Sequence, residues 1–246
     1  MQTLDNRVIL ITGANRGIGK AMVESFLAAG AAKVYAGARS PATLDPLVNA
    51  NGGKVVPLRI DVTEPESVRA AAEAAADVHM VVNNAGVLEV ASPLQATAVD
   101  ALTREMAVNV HGLLHMAQAF APVLKANGGG VFVQINSVAS MKNFAGFSSY
   151  SASKAAAYSI TQGLRELLAE QGTRVLSVHP GPIATDMAAS AGLDGIAEPA
   201  SVVPEGIIAA LATDEFHVFP DTMARQIGGA YQSFARDIVE ADLMAG

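Results

Sequence analysis

A tyrosine and a lysine four residues apart, Tyr150 and Lys154 in the stretch YSASK, could pass a proton and hold the charge that its transfer creates. On a helix this spacing puts both side chains on one face, with Cβ atoms roughly 6 Å apart. A phenol with a pKa of about 10 exchanges protons poorly near neutrality, and a neighbouring ammonium favours the phenolate and brings it toward a working pH. Taken alone, the pair reads first as an accident of helix surface. A second stretch, ITGANRGIGKA, carries Gly13, Gly17 and Gly19. A glycine-rich turn between a strand and a helix lets backbone N–H groups approach a pyrophosphate at the positive end of the helix, without Cβ atoms in the way. The spacing is G-x-x-x-G-x-G instead of the commoner G-x-G-x-x-G, and plain turn chemistry is its other reading.

These residues need elements to hold them. Apolar runs of strand length recur at RVILIT (7–12), KVYAG (33–37), KVVPLRI (54–60), VHMVVN (78–83), VFVQIN (131–136), RVLSVH (174–179) and FHVF (216–219), with Ala-rich segments of helical length between them. Continuous apolar strands alternating with helices predict an α/β fold, a doubly wound parallel sheet of about seven strands covered on both faces. After Asp61, Thr63 and Glu66 have the spacing of a capping box, Pro65 suits a first turn, and Ala70–Ala76 propagates the helix. The segment from Gly181 to Pro199 has three Gly and two Pro and no strand pattern; residues 182–199 read as a substrate lid. No repeat or linker interrupts the chain, so residues 1–246 form one domain, ending in a helical tail.

Composition narrows the partners. With 51% hydrophobic and 16% charged residues, 246 residues can bury a sizeable core. A formal net charge of -7 without a Lys/Arg run argues against nucleic acid and anionic membrane. The absence of cysteine excludes disulfides, thiolate metal sites and a Cys nucleophile. The N-terminus runs straight into a strand, and no uncharged apolar stretch reaches about 18 residues, so the expectation is a soluble, cytoplasmic protein.

The motifs together resemble the classical short-chain dehydrogenase/reductase family: T-G-x-x-x-G-x-G at Thr12–Gly19, Asn83-Asn84-Ala85-Gly86, Asn109, Ser137, Tyr150-x-x-x-Lys154 and Pro180-Gly181, in the family's order over about the first 190 residues. The resemblance implies a Rossmann-type domain and an oxidoreductase. It implies Tyr150 as general acid/base, Lys154 as its electrostatic activator and a partner of the nicotinamide ribose, Ser137 as the substrate-orienting hydroxyl and Asn109 as anchor of a relay water. It also implies a cofactor site built from Gly13, Asn15, Arg16, Gly17, Ile18, Gly19, Arg39, Ser40, Asp61, Val62, Asn83, Ala85, Gly86, Tyr150, Lys154, Pro180, Gly181, Ile183 and Thr185. Asp61-Val62 would touch the adenine, its other reading being a strand-end turn; Asn83 and Asn84 would hold the central strands together.

Cofactor choice follows from charge. NAD sites place an acid at the end of the second strand to accept from the ribose 2′-hydroxyl. Here Ala38 stands at that point with Arg39 next to it and Arg16 in the glycine turn, which favours NADPH/NADP+ with NADH weaker. Leu88, Val90, Met141, Phe144, Phe147, Ile183 and Met187 lie in segments expected to border the nicotinamide, with Glu89 and Asp186 nearby, so a medium-sized, largely uncharged carbonyl or alcohol is the expected substrate. His111 and His115 are four apart but lack a third ligand, and no metal is expected. The C-terminal segment departs from the family's strand followed by Asp-Gly-Gly, which favours a homodimer through the helices of Asn109 and Tyr150 over the family's common tetramer. A catalytically silent NADP(H) sensor or scaffold of the same fold stays open, as does a 3-oxoacyl or imine reductase.

Overall fold

The computed structural model describes residues 3–241. Seven strands, β1 (Val8–Thr12), β2 (Lys33–Ala38), β3 (Val55–Arg59), β4 (Met80–Asn83), β5 (Gly130–Ile135), β6 (Thr173–Val178) and β7 (His217–Val218), form one sheet. All pairs are parallel, in the order β3-β2-β1-β4-β5-β6-β7. Each predicted apolar run became a strand, and side chains alternate between two cores because successive Cβ atoms point to opposite faces. Ile9, Ile11, Met80, Val82, Val131 and Val133 pack on one side, whereas Leu10, Val81 and Phe132 pack on the other.

Nine α-helices are described: α1 (Gly17–Ala28), α2 (Asp45–Ala50), α3 (Pro65–Ala74), α4 (Ala98–Glu105), α5 (Gly112–Ala126), α6 (Ser148–Ala169), α7 (Asp186–Ser190), α8 (Val202–Leu211) and α9 (Thr222–Phe234). The first core takes Phe26 of α1 and Ile207 of α8, the second Val68 of α3, Phe120 of α5 and Ala157 of α6. Fully buried side chains such as Phe26, Phe120 and Phe132 each stabilise the fold by about 1.5–3 kcal/mol relative to exposure. A π-helical segment, Met106–His111, joins α4 to α5 and contains Asn109. Single π turns inside helices often mark functional positions.

The sheet order reverses between β1 and β4, so the connections that leave their C-terminal ends run in opposite directions and leave a crevice, where ligands bind in open α/β sheets. The glycine turn follows β1 and Asn84-Ala85-Gly86 follows β4. The capping box predicted ahead of α3 does not form. Asp61 draws both the N–H (3.0 Å) and the hydroxyl (2.7 Å) of Thr63 to its Oδ1, Glu66 pairs with Arg69 instead, and Pro65 alone opens the helix. Residues 182–199, expected from the sequence as a lid, carry α7 and a 3-10 turn, and Ile183 bridges Glu198 at their base. The predicted helical tail is present as α9 and a following π turn, Ala235–Val239; its last residues, 242–246, lie outside the described ones.

Candidate active site

The crevice is a cleft of about 660 Å³ that runs from the glycine turn to the start of α6. Gly13, Asn15, Arg16, Gly17, Ile18, Gly19, Arg39, Ser40, Asp61, Val62, Ala85, Gly86, Ser137, Tyr150, Lys154, Pro180, Gly181, Ile183 and Thr185 all line it. Backbone geometry explains the glycines. Gly13 and Gly17 have φ of 64° and 52°, where a side chain is strained, and a Cβ on Gly19 would collide with the Gly13 carbonyl oxygen. The glycines therefore let the turn close tightly on itself and line the cleft with backbone at the N-terminus of α1, a cradle suited to a pyrophosphate.

Tyr150 and Lys154 share one face of α6, as their spacing predicts, and the ammonium lies 5.8 Å from the centre of the phenol ring. Both are buried, and Lys154 Nζ donates to the Ile135 carbonyl at the end of β5 (2.9 Å). Burial lowers the lysine's pKa to about 8. The phenol moves against expectation: burial pushes it up to about 12, a rise that the facing Ser137 hydroxyl only partly opposes and the nearby Glu105 adds to. Desolvation is the largest influence on the phenol.

Ser137 follows β5 and accepts from the Ala139 N–H (3.1 Å) while donating weakly to the Pro180 carbonyl (3.3 Å). Asn109 does not reach the cleft. It is buried behind the wall, where its Nδ2 donates to the Val87 carbonyl and to Ser153 Oγ (both 2.9 Å) and its Oδ1 accepts from the Val87 N–H (2.9 Å). Asn83 also stays out of the cleft: its side chain points along the sheet and donates to Gln134 Oε1 at 2.8 Å. Its neighbour Asn84 lines the cleft and ties β4 to β1 through the Thr12 carbonyl (2.9 Å). The Thr12 hydroxyl completes that tie by accepting from the N–H groups of Asn84 and Ala85, both at 2.9 Å.

At the far end, Arg39 and Arg16 are exposed, and Arg16 Nη1 sits 3.0 Å from Asp186 Oδ2 across the cleft mouth. Partial burial would raise the Asp61 carboxyl, but the two bonds from Thr63 and the charges of Arg39 and Arg59 outweigh it and hold the group below its usual range. The cleft wall near Tyr150 is apolar: Leu88, Phe144, Phe147 and Met187 line it as expected. Met141 instead packs into the second core and Val90 faces solvent, so neither borders the cleft. Glu89 is turned away and held by Arg104 through two bonds of 2.6 and 2.5 Å. The His115 ring binds the Val62 carbonyl (2.8 Å) and His111 is exposed.

The sequence matches the short chain dehydrogenase profile over residues 7–194. The chain belongs to the short-chain dehydrogenase/reductase family. Galactitol 2-dehydrogenase (L-tagatose-forming) of Cereibacter sphaeroides is 36% identical over 193 residues, covering 75% of this chain and 74% of that protein. 7alpha-hydroxysteroid dehydrogenase of Escherichia coli K12 is 33% identical over 189 residues, 74% of this chain and 73% of the relative. A short chain dehydrogenase from Burkholderia cenocepacia J2315, solved in complex with NADP, superposes with a TM-score of 0.88 at 36% identity over 100% of both chains.

This short-chain dehydrogenase/reductase holds its motif residues with groups that sequence reasoning missed. His179 is fully buried beneath Ser137, with Nδ1 near the Ser137 carbonyl (3.2 Å) and Ser140 Oγ (2.9 Å) and Nε2 near Ser177 Oγ (2.7 Å). Burial first, then the charges of His217 and Lys154, lower its pKa to about 3, although the Ser137 carbonyl opposes them. Asp221, also buried, caps α9 by accepting from the Ala224 N–H (2.9 Å) and pins the Gly181 N–H (2.7 Å), which brings Met223 to the cleft. Only an Asp ahead of a helical run hinted at this cap. Leu193 and Ile196, within residues 182–199, reach the cleft without any sequence signal that they would.

Proposed function

We propose that the protein is an NADPH-dependent carbonyl reductase, reversibly an alcohol dehydrogenase, acting on a medium-sized uncharged ketone or aldehyde. The observation that carries this reading is the continuity of one cleft from a glycine cradle with two guanidinium groups and no acid at Ala38 to the buried Ser137, Tyr150 and Lys154. The cradle and arginines fit a nicotinamide dinucleotide carrying a 2′-phosphate: Arg16 and Arg39 would meet the phosphate and Asp61 and Val62 the adenine. When bound, the nicotinamide supplies the hydride to the carbonyl carbon. Tyr150 gives its phenolic proton to the carbonyl oxygen, Ser137 holds that oxygen, and Lys154 stabilises the phenolate that remains. Charge from an oxidised cofactor and from Lys154 would offset the burial that raises the phenol. The apolar wall of Leu88, Phe144, Phe147, Met187 and Ile196 favours an uncharged substrate, and residues 182–199 act as its lid. Exposed Val99 and Leu102 on α4 and Leu167 on α6 support a homodimer through these helices.

Turnover of a panel of ketones and aldehydes, with NADPH and NADH followed at the nicotinamide absorbance, tests the reading. Neutral ketones reduced with NADPH ahead of NADH are expected. Tight NADPH binding without turnover of any carbonyl or alcohol would replace it with a nucleotide sensor, and preference for dicarboxylates or sugar phosphates would overturn the substrate class.

A further inference from the structure

The wall that carries Leu88 is an extended strip fastened at every second residue. Val87 exchanges both backbone hydrogen bonds with the Asn109 carboxamide. Two residues on, the Glu89 N–H donates to Glu105 Oε1 (2.8 Å), and two further Ala91 bridges Phe147 just ahead of α6. Glu105 and Asn109 lie four residues apart, so one helix face meets alternate residues of the strip. Leu88, between the two fastened residues, lines the cleft.

Glu105 is an expensive residue for this place. It is fully buried, and among the described residues its Oε2 has no hydrogen-bond partner. The Ser149 hydroxyl, next to Tyr150, is likewise buried and unpartnered. Burial raises the carboxyl's pKa, opposed by the Glu89 N–H and by the Ser149 hydroxyl, which lies beside the carboxyl without closing a hydrogen bond of ordinary geometry. An apolar side chain of similar volume would pack here without that desolvation cost, but it would leave the Glu89 N–H unpaired.

We propose that Glu105 is a positioning residue for substrate: its carboxyl holds the strip Val87–Ala91 against the start of α6 and thereby sets the place of Leu88 in the substrate wall beside Tyr150. The catalytic part of this proposal rests on the carbonyl reductase reading, whereas the clamp itself does not. Glu105 acts on the carbonyl end of the cleft and leaves the dinucleotide cradle untouched.

Glu105→Met, near in volume but unable to accept from Glu89, is compared with Glu105→Gln, whose amide oxygen can accept; Glu105→Leu stands in if the Met variant does not fold. Amide hydrogen exchange over residues 87–92 needs no turnover, so it tests the clamp even if no carbonyl proves to be a substrate. Glu105→Met should speed exchange there by about tenfold or more, the loss of one buried hydrogen bond. It should leave the Kd for NADPH within about twofold, since no dinucleotide contact is removed, while raising the KM for a ketone by roughly fivefold or more with a smaller fall in kcat. Glu105→Gln should return exchange and KM to within about twofold of the parent protein. Unchanged exchange in Glu105→Met, or a Gln variant as impaired as the Met variant, would overturn the proposal.

Discussion

The two ends of the cleft use charge in opposite ways. At the carbonyl end Ser137, Tyr150 and Lys154 are at most 9% exposed, and burial is the largest influence driving the lysine down to about 8 and the phenol up to about 12. At the adenosine end the Arg16 side chain is 69% exposed and already paired with Asp186, itself 74% exposed. Charges in water are screened and exchange partners cheaply, whereas charges out of water respond to each neighbouring atom. The same cleft can therefore fix its proton chemistry tightly and hold its cofactor preference loosely.

Substitutions at the two ends should break the function by very different amounts. Lys154→Ala removes a buried ammonium that lines the cleft, and turnover should fall by roughly two orders of magnitude, the scale of general acid–base catalysis, with weaker NADPH binding in a fluorescence titration. The imidazole beneath Ser137 should show itself in stability. Its folded pKa of about 3 lies below the ordinary 6.5, so the unfolded chain takes up the proton first and stability is lost as pH falls through that window. Urea melts of His179→Gln should show an acid limb flatter by about 1.4 kcal/mol per pH unit than the parent's. At the exposed end, Arg16→Ala and Arg39→Ala should each cut the NADPH/NADH ratio of kcat/KM by about tenfold, one charge-assisted hydrogen bond apiece; a ratio unmoved by both would remove the arginines from phosphate binding. The smallest change belongs to Asp186→Asn. Freeing Arg16 from it should alter stability by less than about 1 kcal/mol and tighten NADPH most at low salt.

What the sequence reveals and hides divides along the same line. All seven strands were legible because runs such as VILIT and GVFVQI, buried on both faces, have few other stable arrangements. The pairing of Tyr150 with Lys154 was legible because helix geometry alone sets it. Contacts between residues distant in sequence were not. Glu105 reads as an ordinary helix acid until Glu89 is folded over it, and His179 reads as a strand end until Ser137 and Ser140 arrive from about forty positions away. The predicted cap of α3 failed for a related reason: Asp61 offered Thr63 a closer acceptor than the helix did. Asn83 and Asn109 stand within the motif yet serve the walls of the cleft, since a motif gives spacing and not the direction of a side chain.

Ketone reduction by Tyr150→Phe at saturating NADPH, with the Kd for NADPH measured alongside, tests the central claim most directly. The substitution removes one hydroxyl and keeps the buried ring, so NADPH should bind within about twofold of the parent while kcat falls by roughly a hundredfold or more. Near-normal reduction by this variant would contradict the assignment of the buried phenol as the proton donor.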